Sequence, residues 1–244
     1  MTKQEVLQQC TVDGNVVKLP NIQLDRKLYQ DVAKALELIG GKWKGGKLFG
    51  FVFNIDPSEL LEQIAGGENR NLKKEFQFFA TPNKLADELV YRAKLNKNDT
   101  ILEPSAGQGA IIRAINMVVP DTIPDCYELM PENVLILNKS GLSFNLIGDD
   151  FLRHQGKFYS KIIANPPFTK NQDIDHVKFM YSYLEQAGTL VSIMSESWLT
   201  GTQKKQVEFK DWLQLVNADV INIPKGSFKE SGTMVGGTIV IIKK

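Results

Sequence analysis

The chain has 244 residues, 43% of them hydrophobic, with 29 Lys+Arg against 28 Asp+Glu, two Cys and two His. That length supports one large domain, or one plus a small unit, with a core that needs no disulfide, and the composition excludes disordered, collagen-like and coiled-coil chains. There is no apolar run long enough to span a membrane, no apolar leader after Met1, and no zinc-like spacing of Cys10 and Cys126, so a cytoplasmic protein without metal or membrane partner is expected.

The first 75 residues predict a small α+β unit. Val16 to Leu19 reads as a strand, and Asp25 to Ile39 as a helix with the stripe Leu28, Val32, Leu36 and Ile39, stopped by Gly40 and Gly41. Trp43 to Phe53 reads as a hairpin turning at Gly45 and Gly46, and Ser58 to Ile64 as a short helix. The stretch from Gly66 to Lys74 reads as a linker. Lys42, Trp43, Lys44 and Lys47 put three cations and an aromatic on one tight turn, a candidate contact to nucleic-acid phosphates. An ordinary solvated turn explains the same residues as well.

From residue 99 onward short apolar runs alternate with helical patterns. Predicted strands are 100–103, 126–128, 144–147, 161–164, 189–193, 220–223 and 238–242; predicted helices are 110–117, 132–139, 175–186 and 203–215. Strands separated by helices mean a mostly parallel sheet with helices on both faces, and the short loop before the last strand makes that strand antiparallel. His154 and His176 are isolated and read as surface residues, whereas the apolar residues of 177–184 read as core. Acidic residues concentrate in the middle of the chain, between modestly basic ends.

Two segments carry chemistry. Glu103-Pro104-Ser105-Ala106-Gly107-Gln108-Gly109 joins a predicted strand to a helix, where glycines let a ligand approach the backbone beside free helix N–H groups. Glu128 ends the next strand, where an acid accepts hydrogen bonds from both hydroxyls of a ribose. Asn165-Pro166-Pro167-Phe168 ends the strand 161–164, and its prolines force the chain out of the sheet in a fixed shape. An amide oxygen and a carbonyl there can accept both hydrogens of an amino group while Phe168 stacks on a planar base.

These segments, in this order, resemble the adenine-N6 DNA methyltransferases that use S-adenosylmethionine, over roughly residues 76–244. The resemblance implies a Rossmann-like class I methyltransferase with a seven-stranded sheet. Phe78 to Pro82 resembles the motif that closes over the cofactor's methionine part, which gives that role to Thr81 and Pro82. Glu103, Ser105, Gly107 and Gly109 resemble the cofactor loop, and Glu128 and Leu129 the ribose and adenine contact. Asp150 and Phe151 resemble the pair that binds and stacks on the cofactor's adenine. Asn165, Pro166, Pro167 and Phe168 resemble the catalytic motif, and Phe228 the aromatic against the target base. Lys204, Lys205, Lys225 and Lys229 are further candidate phosphate contacts.

The placement of the Thr81-Pro82 element ahead of the cofactor loop resembles the gamma arrangement of that family, as found in restriction-modification systems. The expected partners are DNA, and a second copy or a separate specificity or restriction subunit. In that family a target-recognition domain usually follows the last strand; because the sequence ends at Lys244, DNA reading is expected from residues 1–75, a second copy or a partner. Two alternatives stay open: methylation of RNA or of a protein glutamine on the same fold, and a catalytically silent cofactor- or DNA-binding subunit.

Overall fold

The computed structural model describes residues 1–76, 79–229 and 234–244. The chain divides into two compact units, residues 1–77 and 78–244.

The first unit contains α1 (Lys3–Gln8), β1 (Thr11–Asp13), β2 (Val16–Lys18), α2 (Arg26–Leu38), β3 (Lys42–Lys44), β4 (Gly50–Val52), α3 (Ser58–Ala65) and α4 (Leu72–Glu75). Its antiparallel sheet has the order β1-β2-β4-β3. Asp25 caps α2 by accepting from the Lys27 and Leu28 amides, and the buried stripe of that helix, Val32 and Leu36, meets Val17, Phe51 and Phe53. The hairpin at Gly45 and Gly46 forms as expected. The linker expectation needs correction, since Leu72–Glu75 is helical and Leu72 is 5% exposed.

The second unit runs α5 (Asn83–Ala93), β5 (Ile101–Glu103), α6 (Ala110–Val118), β6 (Asp125–Tyr127), α7 (Pro131–Asn138), β7 (Asn145–Gly148), β8 (Tyr159–Ala164), α8 (Gln172–Ser182), β9 (Leu184–Met194), α9 (Ser197–Thr200), α10 (Lys204–Leu215), β10 (Asp219–Ile223) and β11 (Gly237–Lys243). The seven-stranded sheet has the order β10-β11-β9-β8-β5-β6-β7. β5 through β9 are parallel, and β11 runs antiparallel to both β9 and β10. This is the expected α/β fold.

Alternate residues of the central strands enter opposite apolar layers. Ile162 and Ala164 of β8 pack with α8 and α10 side chains, whereas Ile163 packs with Ala86, Leu89 and Ile111 of α5 and α6. Burial on both faces is why Ile162, Ile163 and Ala164 form an unbroken apolar run rather than alternating with polar residues. The chain extends from β5 to β6 and β7 on one side, then crosses to β8 and β9 on the other. The reversal opens a crevice at the carboxyl ends of β5 and β8, the usual ligand position in such sheets.

At the opposite, amino edge the polar groups are matched. Asp125 accepts from Lys157 Nζ (2.6 Å), Asn145 Nδ2 (2.8 Å) and the Tyr159 hydroxyl (3.0 Å), joining the first residues of β6, β7 and β8. Burial alone raises the Asp125 carboxyl, but these bonds bring it below its ordinary value. Truncating Ile163, fully buried in β8, to Ala should destabilise residues 78–244 by about 3 kcal/mol. A urea titration followed by Trp198 and Trp212 fluorescence checks this, and an unchanged midpoint would contradict the two-faced core.

Candidate active site

The loop after β5 carries Ser105, Gly107 and Gly109 at the crevice. Gly107 (φ 56°) and Gly109 (φ 87°) lie in the left-handed region, and a Cβ on Gly109 would come within 2.7 Å of Leu137. Glu128, just past β6, holds this loop. Its Oε2 accepts from the Gly107 amide (2.6 Å), and its Oε1 from the Met130 amide (2.8 Å) and Asn133 Nδ2 (3.2 Å). Asn133 accepts in turn from Gln108 Nε2 at 3.2 Å. Sequence reasoning gave no role to Gln108, though it lies within the Gly-rich segment, and missed Asn133, whose position carries no motif. Leu129, the next residue, is 53% exposed and offers an apolar surface beside Glu128.

Glu103 ends β5, 1% exposed, and its Oε2 has no hydrogen-bond partner. Burial, then the neighbouring Glu128 charge, push its carboxyl well above the ordinary carboxylate range. Burial raises Glu128 as well, against the opposing effect of its amide donors.

Across the crevice, Asn165 leaves β8. Its Nδ2 donates to Thr81 Oγ1 (3.0 Å) and to the Phe79 carbonyl (3.4 Å), and Ser105 Oγ donates to its backbone carbonyl (3.1 Å). Asn165 Oδ1 is buried and unpartnered. Among the described residues, the buried carboxylate and amide oxygens without a partner are Glu103 Oε2 and Asn165 Oδ1, and both stand at the carboxyl edge. Thr81, Ser105, Glu103, Gly107, Gly109, Glu128 and Asn165 therefore gather around one crevice. Pro82 opens α5 beside them, and Pro166 and Pro167 continue from Asn165. Phe78 lies outside the described residues.

Phe168 is half-buried, and its carbonyl accepts from the Asn171 amide at 3.2 Å. Asn171, left-handed at φ 58°, donates through Nδ2 to Gln203 and accepts at Oδ1 from Ser197 and Gln206. Asp173, fully buried, accepts from the Ser195 amide and hydroxyl. These residues tie the turn after Phe168 to the segment following β9. Their signal was present in the sequence only as a polar run after a predicted strand.

Several expectations need correction. Phe151 is 2% exposed and lies edge-on to Tyr127 and Phe179, so its ring is core rather than a free stacking face. Asp150 caps the short helical turn at Phe151–Arg153 by accepting from the Leu152 amide. Phe228 is 3% exposed among Ile223 and Ile239, so it does not present a ring to a base; residues 230–232 of the same segment lie outside the described residues. His154 and His176 are buried, not surface residues. His154 bonds the Tyr127 hydroxyl (2.7 Å) and the Lys157 carbonyl (2.8 Å) through its two ring nitrogens. Lys205 is ion-paired with Asp175, whereas Lys204, 90% exposed, lies 3.8 Å from Glu208 and stays open to solvent. Lys42, Trp43, Lys44 and Lys47 lie in the first unit, and all four are exposed.

Among the described residues no helix is long and apolar enough to cross a membrane, and no group of acidic, His and Cys side chains could hold a metal ion.

No protein-family model matches the chain, and no curated protein resembles it in sequence. Solved structures do resemble it. A Listeria monocytogenes protein assigned as a class I S-adenosylmethionine-dependent methyltransferase is 13% identical over 77% of this chain and 66% of its own, with TM-score 0.55. A Vibrio vulnificus protein assigned as the modification subunit of a type I restriction enzyme is 15% identical over 92% of this chain, with TM-score 0.57. The chain spans only 55% of that protein's length. A Plasmodium falciparum dimethyladenosine transferase is 15% identical over 68% of this chain and 64% of its own, with TM-score 0.52.

The raised Glu103 carboxyl makes a pH prediction. Its neutral form favours the folded state, so that contribution is complete below the ordinary carboxylate value and is lost as pH rises through the folded value. The melting temperature of Glu103→Gln should therefore gain on wild type as pH rises, with little difference near pH 4. Parallel curves would contradict the assignment. What the chain has in common with the three solved proteins is the Rossmann-like fold of class I methyltransferases.

Proposed function

We propose that the protein transfers a methyl group from S-adenosylmethionine to the exocyclic N6 amino group of adenine in DNA. The observation that carries this reading is Asn165, whose amide nitrogen is tied to Thr81 while its Oδ1 is buried and unpartnered. A buried acceptor without a donor costs about 1–3 kcal/mol, a cost that a ligand N–H would remove.

The crevice also suits the cofactor. Glu103 Oε2 is a second unpartnered acceptor, Glu128 would accept from ribose hydroxyls, and the left-handed Gly107 brings no side chain to the loop. S-adenosylmethionine supplies an electrophilic methyl group on a positively charged sulfur, and the buried acids Glu103 and Glu128 favour positive charge nearby. Thr81, Pro82, Ser105 and Leu129 would complete its surroundings.

The chain's own residues would act on the target. An adenine amino nitrogen is a poor nucleophile because its lone pair is delocalised into the ring. Asn165 Oδ1 and the Pro166 carbonyl would accept its two hydrogens and favour a pyramidal nitrogen whose lone pair points outward. Because Thr81 fixes the amide, the acceptor is oriented before substrate arrives, and orientation of this kind supplies much of the rate. The positive charge that develops on nitrogen meets oxygens already in place. Phe168 would stack on the base and offset part of the few kcal/mol needed to bring it out of a duplex.

DNA as substrate, with a specificity or restriction partner, is supported by the structural likeness to the protein assigned as a modification subunit. The same constellation serves adenine in RNA, and the likeness to a dimethyladenosine transferase gives that reading its support. Mass spectrometry of nucleosides from cells expressing the protein separates the two. N6-methyladenine in DNA is expected, whereas methylated RNA alone would move the substrate to RNA.

Asn165→Ala should abolish methyl transfer while cofactor affinity, measured by calorimetry, changes less than threefold or so. Full activity in that variant would remove the mechanism. Thr81→Val removes the acceptor for Nδ2 and should lower kcat roughly tenfold, on the scale of one lost hydrogen bond, with little change in KM.

A further inference from the structure

The β3–β4 hairpin is not used by the crevice chemistry. All residues from Lys42 to Phe49 are exposed, and between Glu37 and Asp56 the sequence contains three lysines and no acid. Among the described residues, Lys42, Lys44 and Lys47 have no ion-pair partner. Aromatic rings form a ladder outward from the core. Phe51, 1% exposed, meets Trp43 edge-on at 5.2 Å, and Trp43 meets Phe49 edge-on at 5.2 Å.

Trp43 is 39% exposed and Phe49 68%, with Leu48 between Lys47 and Phe49 also open to solvent. Phe49 adopts φ 33°, a left-handed conformation that costs a bulky side chain about 1–3 kcal/mol. The edge contact with Trp43 is the packing that Phe49 gains in this conformation, and most of its ring still faces solvent.

β3 is the edge strand of its sheet. Trp43 stands opposite Phe51, whereas Lys42 and Lys44 stand opposite Val52 and Gly50, so rings and ammonium groups occupy the two sides of one exposed edge. Cations alone would serve any phosphate backbone. Exposed aromatic rings on the other side of the same edge match bases that are not already stacked in a duplex.

We propose that this hairpin is a binding site for single-stranded DNA, with Trp43 and Phe49 stacking on unpaired bases and Lys42, Lys44 and Lys47 meeting the phosphates. The choice of DNA over RNA rests on the function proposed above; the stacking site does not.

The test uses the full-length protein and a labelled oligothymidylate of roughly fifteen nucleotides, enough for several stacked bases. Lacking adenine, it offers no target amino group to Asn165. Fluorescence anisotropy should show it bound more tightly than a duplex of equal length. Phe49→Gly suits the left-handed backbone, so its melting temperature should not fall, while affinity drops about tenfold through loss of one stacking face. Replacing Lys42, Lys44 and Lys47 together by Gln should reduce the slope of log affinity against log salt by about 2.

Wild-type affinity in Phe49→Gly, equal affinity for duplex, or an unchanged salt slope would overturn the site. Tighter binding of oligouridylate than of oligothymidylate would overturn DNA as its occupant. Asn165→Ala should bind the oligothymidylate as wild type does. A protein that binds through the hairpin but methylates nothing therefore fails the proposed function alone, and one that methylates with a silent hairpin fails this proposal alone.

Discussion

The hydrogen bond from Asn165 Nδ2 to Thr81 Oγ1 is the constraint on which the site depends. An asparagine has two polar ends, and fixing the donor end decides where the acceptor end points. Thr81 precedes α5, whereas Asn165 follows β8, so the bond joins segments 84 positions apart in sequence. Ser105, from the loop after β5, adds a second tie to the Asn165 backbone. Three separate parts of the unit thus converge on one residue and leave its side-chain oxygen buried and free.

The two edges of the sheet make the significance of that oxygen clear. At the amino edge, Asp125 is fully matched by Lys157, Asn145 and Tyr159, as a group that only holds strands together should be. At the carboxyl edge, Glu103 and Asn165 each keep a buried oxygen without a partner. Unmatched acceptors lower stability, and these two stand on the edge where α/β sheets commonly bind ligands. Glu103 and Glu128 add to it an acidic pair whose charge burial opposes and a cationic ligand would favour.

The sheet was largely legible from sequence because two-faced burial leaves apolar runs within its strands, Ile162 to Ala164 in β8, Leu190 and Val191 in β9, and Ile239 to Ile242 in β11. Elements that escaped lack that contrast. The buried stripe of α5 is Ala86, Leu89, Val90 and Ala93, half of it alanine, and β1 is exposed at all three residues. The helix expected to reach residue 186 stops at Ser182, because apolar Leu184 continues the stripe by chance while belonging to β9. Within the site, segments with special backbone chemistry, Gly107 to Gly109 and Asn165 to Phe168, announced themselves. The burial of Phe151, Phe228, His154 and His176 did not, because it depends on neighbours distant in sequence. Asn133 and Asn171 carry no local signature either; each becomes meaningful through the groups it bonds.

The most direct measurement is a structure of the protein with S-adenosylhomocysteine and an oligonucleotide containing an unpaired adenine. The adenine N6 should lie within hydrogen-bond distance, about 2.7–3.2 Å, of both Asn165 Oδ1 and the Pro166 carbonyl. Asn165 Nδ2 should stay on Thr81. An adenine seated elsewhere, or an Asn165 amide that turns its oxygen away from the crevice when substrate binds, would contradict the mechanism.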